Sequence, residues 1–282
     1  KENNYTTAFF FFLYNGTMGF DNFTRKVGYD YYYGMNEYNN KKDYDGNWGI
    51  FDEPFLQYCV KQIDTLTKPF HAAFFTLSSH HPYAMPEEHK NKFSKGTLIV
   101  HETVSYTDYA LKRFFNEASK CDWFENTLFL ITSDHSGLTE SKDFKTQLGL
   151  FKIPMIIYHP KMKSNIVSTQ FVQQIDVYPT IIDMLNIENE KIFTFGRSPF
   201  SEKEKYYIYY TNGEYLLMIG NYLSKYKQDG TIELFDVEKD QTLKNNIANQ
   251  QQEITKKHIR FTQAFIQQYN NTIIENTTTI SK

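Results

Sequence analysis

Cysteine and long apolar runs are scarce in this sequence. Only 2 Cys occur among 282 residues, and Cys59 and Cys121 lie too far apart for a CxxC-type zinc or redox site. The two thiols either pair, if the protein is exported, or stay reduced as buried side chains, and we favour buried thiols. No run approaches the roughly 18–20 apolar residues of a membrane-spanning helix. The strongest apolar run, residues 8–14, has the length of a buried strand.

An excess of charge of one sign is also missing. The formal net charge is −3, and Lys and Arg are scattered, which argues against a nucleic-acid partner and against a polybasic membrane patch. The sequence contains no GxSxG elbow, GxxxxGK[ST] phosphate loop or HExxH helix, so enzyme classes built on those motifs are excluded. Aromatic residues, in contrast, are abundant, with 25 Phe and 22 Tyr. They suffice for the core of one large α/β domain or two smaller ones.

Short apolar segments alternate with helical patterns in the part of the chain before Gly196. The predicted strands are residues 7–13, 71–77, 127–132 and 154–158. Residues 101–119 have the spacing of an amphipathic helix. Its predicted buried face consists of Val104, Leu111, Phe114, Phe115 and Ala118. A further helix is predicted after Asp176, which can cap it. This alternation indicates an α/β fold with a mostly parallel sheet flanked by helices.

Beyond Gly196 the pattern changes to short tyrosine-rich runs separated by turn signals. Asn212-Gly213, Gly220-Asn221 and Asp229-Gly230 predict tight hairpins, so we expect a small antiparallel sheet in this region. An amphipathic helix is predicted at residues 250–269, followed by a polar tail.

The clearest candidate for chemistry is Asp134-His135, which directly follows the predicted strand at residues 127–132. In parallel α/β sheets, ligands bind in the crevice at the carboxyl ends of the strands, so this placement suits a site. A carboxylate oxygen beside an imidazole nitrogen can hold a divalent cation such as Mn²⁺, Mg²⁺ or Zn²⁺. The alternative is structural: Asp134 would cap a following helix, and His135 would be an ordinary packed or exposed histidine.

A second strand end carries His80 and His81. A histidine at this position can donate a hydrogen bond to a phosphate oxygen or to a leaving group. We assign that role to His80, which directly follows the strand, and interpret His81 as a loop residue. His159 also follows a predicted strand, so it either lines the same crevice or belongs to a simple turn.

Two other segments give weaker signals. The glycine-rich turn before Phe20 and Asn22 could bring the backbone close to a ligand, although a plain strand-to-helix turn explains it equally well. We interpret Trp48 as a buried aromatic residue and Asp52 as a helix N-cap, both with structural rather than catalytic roles.

Taken together, these segments resemble the lipoteichoic-acid-synthase-like branch of the sulfatase/alkaline-phosphatase superfamily. The matching motifs occur in the family's order within residues 3–250. They include Phe20-Asp21-Asn22, Gly28-Tyr29-Asp30, Trp48-Gly49-Ile50-Phe51-Asp52-Glu53, Ser78-Ser79-His80-His81-Pro82-Tyr83, Tyr106-Thr107-Asp108, Ser133-Asp134-His135, Lys152-Ile153-Pro154, Gln174-Ile175-Asp176 and Phe195-Gly196-Arg197.

The resemblance implies an alkaline-phosphatase-like fold and a phosphoglycerol transferase or related phosphotransferase or hydrolase. Asp134 and His135 match the family's paired metal ligands, and His80 matches the histidine that contacts the substrate phosphate. Phe20 and Asn22 fall where the family uses an aromatic residue and an arginine around the glycerophosphate, so a bidentate phosphate clamp is lost here. One divalent metal ion is implied, with Mn²⁺ or Mg²⁺ favoured and Zn²⁺ or Ca²⁺ as alternatives.

The family's acidic metal ligand and nucleophilic threonine have no match in this sequence. We expect both upstream of Lys1, so that this chain lacks its N-terminal part and is inactive alone. The resemblance also implies a location at the cell membrane, reached through that upstream segment, with the catalytic domain outside the cytoplasm. The implied substrate is of the phosphoglycerol or phospholipid type.

The expected organisation is a sulfatase-type catalytic domain at residues 1–200, a β-rich subdomain with a helix at residues 201–270, and a polar tail at residues 271–282. Two enzymatic alternatives on the same scaffold are a phosphoethanolamine transferase and a sulfatase. The alternative of another class is a non-catalytic envelope domain that kept the fold and lost the chemistry.

Overall fold

The computed structural model describes residues 3–163, 167–168, 170–188 and 193–277. The chain divides into two compact units: the first comprises Lys1–Glu140 and Ile153–Ser164, and the second comprises Ser141–Lys152 and Asn165–Lys282. The domain boundary that the sequence suggests at residue 200 stays a prediction.

The first unit is an α/β structure. Its strands are β1 (Thr6–Phe11), β2 (Tyr31–Tyr33), β3 (Phe70–Phe75), β4 (Phe129–Thr132) and β5 (Met155–Tyr158). Its helices are α1 (Phe20–Val27), α2 (Met35–Tyr38), α3 (Asp52–Asp64) and α4 (Val100–Ala118). The four strands that the sequence predicts in this region are present within a few residues of their expected ends, whereas the short strand β2 was not predicted.

Strands β1, β2 and β3 form a parallel sheet in the order β2-β1-β3. Phe10 and Phe11 on the central strand β1 are fully buried. Helix α3 begins at Asp52 and contributes the equally buried Phe55, Leu56 and Cys59 to the same core. Because parallel strands have their carboxyl ends at one edge of the sheet, the loops that follow β1 and β3 emerge together.

Strands β4 and β5 pair antiparallel, with Phe129 opposite Tyr158 and Thr132 opposite Met155. The sequence predicted a mostly parallel sheet without a direction for β5, and this pair is an antiparallel exception. Residues 133–154, all of which are described, contain single 3-10 turns at Asp143–Lys145 and Gly149–Phe151 but no α-helix. Two parallel strands need a crossover connection, which is usually a helix. Here the chain reverses direction between β4 and β5 without one.

Helix α4 confirms the predicted amphipathic helix, but its buried face is rotated. The fully buried side chains include Tyr106, Ala110 and Phe114, whereas Val104 is 50% exposed. The prediction that Val104 is buried is therefore wrong. Tyr106 can be buried because its hydroxyl accepts a hydrogen bond from the backbone N–H of Glu53, while its ring packs in the core. A helical pattern counted from aliphatic residues does not include this tyrosine.

The second unit contains the predicted antiparallel sheet. Its strands are β6 (Tyr206–Thr211), β7 (Glu214–Ile219), β8 (Tyr222–Lys227) and β9 (Ile232–Asp236), and its helices are α5 (Val177–Met184) and α6 (Gln252–Ile274). The strands form a meander in chain order. Asn212 and Gly213, with φ of 50° and 83°, make the first tight turn as expected.

Helix α6 packs across one face of this sheet, with Phe261 and Phe265 against Tyr206. It continues to Ile274 and so enters the predicted polar tail, of which residues 278–282 lie outside the described residues. None of the described helices has the length and apolar character required to span a membrane. Together, the parallel sheet, the antiparallel sheet and the terminal helix confirm the predicted fold class.

Both cysteines have free thiols. Cys59 is buried and Cys121 is partly buried, so the alternative of a disulfide between them is wrong for this structure.

Candidate functional site

Asp134 and His135 project from the loop that follows β4. The carboxylate oxygen Oδ2 of Asp134 lies 3.4 Å from Nε2 of His135, and their side chains are 54% and 65% exposed. The backbone N–H of His135 also donates to Oδ1 of Asp134, at 2.9 Å. The next helical turn starts only at Asp143, so the alternative in which Asp134 caps a following helix is wrong. The two side chains instead converge at an accessible point.

A backbone contact sets the orientation of the His135 ring. Its Nδ1 lies 2.8 Å from the carbonyl oxygen of Ser136 and donates to it in the neutral ring. The lone pair of that tautomer is then on Nε2, the nitrogen nearest Asp134. Metal-binding histidines commonly have this arrangement, in which one ring nitrogen donates to a carbonyl and the other is the ligand.

His80 has the same kind of orientation in the loop after β3. Its Nδ1 lies 2.6 Å from the carbonyl oxygen of His81, and the indole N–H of Trp48 donates to that same oxygen at 2.9 Å. The Trp48 and His80 rings meet edge to face, with centroids 5.4 Å apart. These contacts leave Nε2 of His80 as the nitrogen that can reach a ligand. Trp48 is 42% exposed, so the prediction that it is buried is wrong, because it packs on the loop rather than in the core.

Asp52 anchors the loop that carries His80. The carboxylate is fully buried, and its Oδ1 accepts from the backbone N–H groups of Leu77 and Ser78 at 2.7 and 2.9 Å. Its Oδ2 accepts from the hydroxyl of Thr107 at 2.7 Å. Asp52 thus has a structural role, but the prediction that it is the N-cap of α3 is wrong. The N-cap is Phe51, without a side-chain hydrogen bond, and the Asp52 carboxylate instead joins the segment after β3 to α4. Sequence spacing contains no signal for a contact between residues so far apart.

Strands β3 and β4 begin at the same end of α4. Phe70, the first residue of β3, packs on Trp123, and Phe129, the first residue of β4, packs on Phe124. The loops that follow the two strands also meet, because the hydroxyl of Thr97 donates to the carboxylate of Glu140 at 2.7 Å. A hydrogen bond therefore joins the two segments that follow β3 and β4, at a point 17 residues after His80 and five residues after His135. That His80 shares a site with Asp134 and His135 stays a prediction.

Phe20 and Asn22 occupy opposite sides of α1. The Phe20 ring stacks on Phe9 and packs at a tilt on Phe11, with centroids 5.6 and 4.6 Å away, so it is partly buried against the core. Asn22 is exposed, and its Oδ1 lies 3.5 Å from a guanidinium nitrogen of Arg25. A substrate-binding role for Phe20 and Asn22 stays a prediction. Arg25, which sequence reasoning missed, brings a guanidinium close to the position where the arginine was lost.

His159 does not join this region. It follows Tyr158, which pairs with Phe129 at the beginning of β4, whereas Asp134 follows the end of β4. The interpretation of His159 as lining the same crevice is therefore wrong, because β5 runs antiparallel to β4.

A divalent cation fits the residues present, in part. Asp134 and His135 offer one oxygen and one oriented nitrogen at a single point, a donor pair suited to Mn²⁺, Mg²⁺ or Zn²⁺. Within the residues that the structure describes, no group of three or more His, Cys, Asp or Glu side chains could hold a metal. The role of Asp134 and His135 as metal ligands stays a prediction, and these two side chains could supply two of the ligands.

Known proteins resemble the chain in sequence. The Sulfatase family model matches residues 1–187. Lipoteichoic acid synthase 1 of Bacillus subtilis is 26% identical over 233 residues, which cover 77% of this chain and 36% of that protein. Lipoteichoic acid synthase of Staphylococcus aureus is 24% identical over 213 residues, covering 70% of this chain and 33% of that protein. The chain thus spans about a third of the length of these relatives.

Solved structures share the fold. A protein of the alkaline phosphatase superfamily from Vibrio parahaemolyticus matches with a TM-score of 0.71 at 21% identity, covering 86% of this chain and 60% of that chain. The lipoteichoic acid synthase LtaP from Listeria monocytogenes matches with a TM-score of 0.70 at 17% identity, covering 94% and 71%. These findings confirm the predicted resemblance to the lipoteichoic-acid-synthase-like branch of the superfamily. Since the family model covers residues 1–187 of 282, the chain belongs to the Sulfatase family.

Proposed function

We propose that the protein containing this chain is a metal-dependent phosphoester transferase or hydrolase that moves a phosphoglycerol-like group during modification of a cell-envelope polymer or lipid. The observation that carries the proposal is the convergence of Asp134 and His135, with Nε2 of His135 oriented by the carbonyl of Ser136. The lipoteichoic acid synthases among the relatives support the choice of phosphoester chemistry.

Asp134 and His135 would hold one divalent cation, with Mn²⁺ or Mg²⁺ favoured. When bound, the cation supplies Lewis acidity at the substrate phosphate and raises the acidity of a nucleophilic hydroxyl. The two side chains need little reorganisation for this role, because the hydrogen bond from Nδ1 of His135 to a carbonyl already determines the tautomer.

His80 would contact the phosphate oxygens or the departing group. Its Nε2 is directed by the hydrogen bond from Nδ1 to the carbonyl of His81, and Trp48 limits movement of the ring. A histidine so placed can donate a proton to a leaving oxygen or stabilise phosphate charge. The nucleophile stays unknown, and we propose that it is a threonine encoded upstream of Lys1.

A cavity of about 550 Å³ lies beside the loop of His80 and offers room for a substrate. Its lining combines apolar side chains with charged ones. They include Phe51, Tyr83 and Met85, the lysines Lys90 and Lys95, and the carboxylates of Asp45, Glu87 and Glu102. The apolar and polar groups suit a carbon chain or a polyol, whereas the three carboxylates oppose the two lysines in any contact with a phosphate. We place the catalytic domain outside the cytoplasm, attached to the cell membrane through an upstream segment.

The test uses the full-length protein and a phosphodiester substrate that contains glycerophosphate, with turnover measured at increasing Mn²⁺. We expect His135→Ala to lower metal-dependent turnover by about 10²–10⁴-fold, the range seen when a catalytic group is removed. His159→Ala is the matched control, since His159 also follows a strand but lies at the other end of β4.

Undiminished metal-dependent turnover in the His135→Ala protein would contradict the proposal. Calorimetric titration of Mn²⁺ into this chain distinguishes the proposed enzyme from the non-catalytic alternative. We expect measurable binding that Asp134→Asn abolishes, whereas a non-catalytic domain would bind no metal.

A further inference from the structure

The chain that carries Asp134 and His135 leaves the first unit shortly after these two residues. Ser141–Lys152, the 141–152 segment, belongs to the second unit, and the chain returns to the first unit only for β5. His135 lies six residues before this segment. The contacts that hold the 141–152 segment therefore affect the position of His135, because a short run of chain joins the two.

Internal contacts give the 141–152 segment a defined shape. Its two 3-10 turns are joined by Thr146, whose hydroxyl donates to the carbonyl of Asp143 at 2.9 Å and accepts from the backbone N–H of Gly149 at 3.0 Å. Gly149 is buried, and a Cβ atom there would lie 1.9 Å from the carbonyl oxygen of Asp143, so the two turns pack too closely for a side chain at this position. Because the turns are packed together, a contact at one end of the segment also restrains the other end.

The hairpin of β6 and β7 anchors the 141–152 segment within the second unit. The ring of Phe151 packs on Tyr209 of β6, with centroids 4.4 Å apart. The side-chain amide of Gln147 donates from Nε2 to Oε1 of Glu214 on β7, at 3.1 Å. Phe151, Gln147 and Glu214 are all partly buried, so water is partly excluded from both contacts. An aromatic pair and a shielded hydrogen bond therefore attach the segment to one hairpin.

The contacts that the structure gives His135 itself are local. Its backbone and ring contact the chain neighbours Asp134 and Ser136. The hydroxyl of Thr97 donates to the carboxylate of Glu140, but both residues are exposed, so water competes for both groups and the net contribution is small. The position of the His135 ring therefore depends on how the chain is held on either side, by β4 before it and by the 141–152 segment after it.

We propose that Tyr209 is a positioning residue for His135. Through its contact with Phe151, Tyr209 holds the 141–152 segment, and this segment keeps the His135 ring hydrogen-bonded to the carbonyl of Ser136 with Nε2 available as a ligand. Tyr209 acts through the chain and not by contact with a substrate or a cation. The inference rests on the proposed function for the role of Nε2, and it extends that function by giving the β6–β7 hairpin a part in forming the site.

Tyr209 and its neighbour Tyr210 form a matched pair for the test. They are 41% and 47% exposed, and each packs on another ring, but Tyr210 packs on Tyr215 of the same sheet, with centroids 4.7 Å apart. Tyr209→Ala therefore removes the contact with the 141–152 segment, whereas Tyr210→Ala removes a similar aromatic contact within the sheet. Tyr209→Phe keeps the ring and should behave like the unaltered chain. Circular dichroism checks that all three variants are folded.

The first readout is the NMR spectrum of the imidazole nitrogens, recorded without metal on the chain with isotopically labelled histidine. At about pH 8 an exposed imidazole is neutral, and the signals of His135 are identified by their loss in His135→Ala. In the unaltered chain we expect separate signals for a protonated Nδ1 and an unprotonated Nε2, as the hydrogen bond to Ser136 requires. In Tyr209→Ala the two signals should move toward one average value, because the released ring exchanges between tautomers. Tyr210→Ala should retain the spectrum of the unaltered chain.

The second readout is the affinity for Mn²⁺, measured by calorimetry. Tyr209→Ala should weaken binding about two- to tenfold, the change in an equilibrium constant expected when one aromatic pair is lost. Phe151→Ala should have the same effect. The double variant Tyr209→Ala/Phe151→Ala should bind no more weakly than either single variant, because both substitutions remove the same contact.

An averaged His135 spectrum in the unaltered chain, or an unchanged spectrum in Tyr209→Ala, would overturn the inference. Equal effects of Tyr209→Ala and Tyr210→Ala would also overturn it, as would an Mn²⁺ affinity that Tyr209→Ala leaves unchanged. The proposed function fails separately if the unaltered chain binds no Mn²⁺ although its His135 spectrum shows one tautomer. In that case the spectrum of Tyr209→Ala still decides whether the 141–152 segment positions the ring.

Discussion

The strand-end loops of the first unit and the helix–sheet core of the second unit use histidine in opposite ways. His135 is 65% exposed and has its tautomer set by a backbone carbonyl. His258 on α6 is 1% exposed, and its Nδ1 lies 2.9 Å from the hydroxyl of Ser224 on β8. Burial lowers the pKa of His258 to about 4, assisted by the nearby Lys257. A histidine whose ring is oriented by a hydrogen bond but stays exposed is a candidate ligand or catalytic residue. A histidine that is buried, with no access for a ligand, has a structural role.

The same contrast exists between two carboxylates of the first unit. Asp52 is fully buried and accepts three hydrogen bonds, two of them from backbone N–H groups. Asp134 is more than half exposed and contacts the adjacent His135. Asp52 directly follows Phe51, and Asp134 lies three residues after Ile131, so both come soon after an apolar run. Their surroundings in the fold are what separate a structural carboxylate from a candidate metal ligand.

The largest expected effect tests this contrast between carboxylates. Asp52→Ala should lower the free energy of unfolding by about 3–5 kcal/mol, because it leaves the buried N–H groups of Leu77 and Ser78 without acceptors. Asp134→Ala should change it by less than about 0.5 kcal/mol, as expected for an exposed side chain. Urea unfolding followed by circular dichroism measures both. Equal losses of unfolding free energy in the two variants would contradict the distinction between a structural and an exposed carboxylate.

The second effect concerns pH. Because the folded pKa of His258 is about 4, below the usual 6.5, the unfolded chain binds a proton first as the pH falls. Stability should therefore decrease between pH 6.5 and 4, by about 3 kcal/mol in total for this group. Unfolding at pH values through this window measures the loss.

His258→Gln is the informative variant, since an amide can keep the hydrogen bond to Ser224 without titrating. It should remove this part of the acid sensitivity, whereas His135→Ala should leave it unchanged. If acid sensitivity were the same in His258→Gln and in the unaltered chain, His258 would not be the group responsible.

The smallest effect tests whether orientation matters at the exposed histidines. Trp48→Phe keeps an aromatic ring beside His80 but removes the N–H that donates to the carbonyl of His81. We expect a change in unfolding free energy below about 1 kcal/mol and a fall in turnover of the full-length protein of up to about tenfold. The fall should be in kcat rather than KM, because Trp48 would position His80 and not bind the substrate. An unchanged kcat would show that the His80 ring needs no such support.

Local signals predicted much of the fold and part of the candidate site. The strand that ends before Asp134 and the hairpin turn at Asn212-Gly213 both depend on neighbouring residues, and both were predicted. The burial of Trp48 was predicted wrongly, and of the two interpretations left open for His159, the one that places it in the crevice is wrong. Each depends on a partner distant in sequence, namely the carbonyl of His81 and the antiparallel strand pair β4–β5.

The amino-acid sequence by itself determined the alternation of strands and helices, the tyrosine-rich meander and the placement of Asp134-His135 directly after a strand. Periodicity, turn residues and motif order are properties of short stretches of chain, so they can be recognised in the amino-acid sequence alone. Only the tertiary structure decided that β5 runs antiparallel, that Asp52 holds the loop of His80, and that α1 exposes Met18 and Phe23. These features depend on which distant segments pack together, since burial and hydrogen-bond partners are properties of the folded chain.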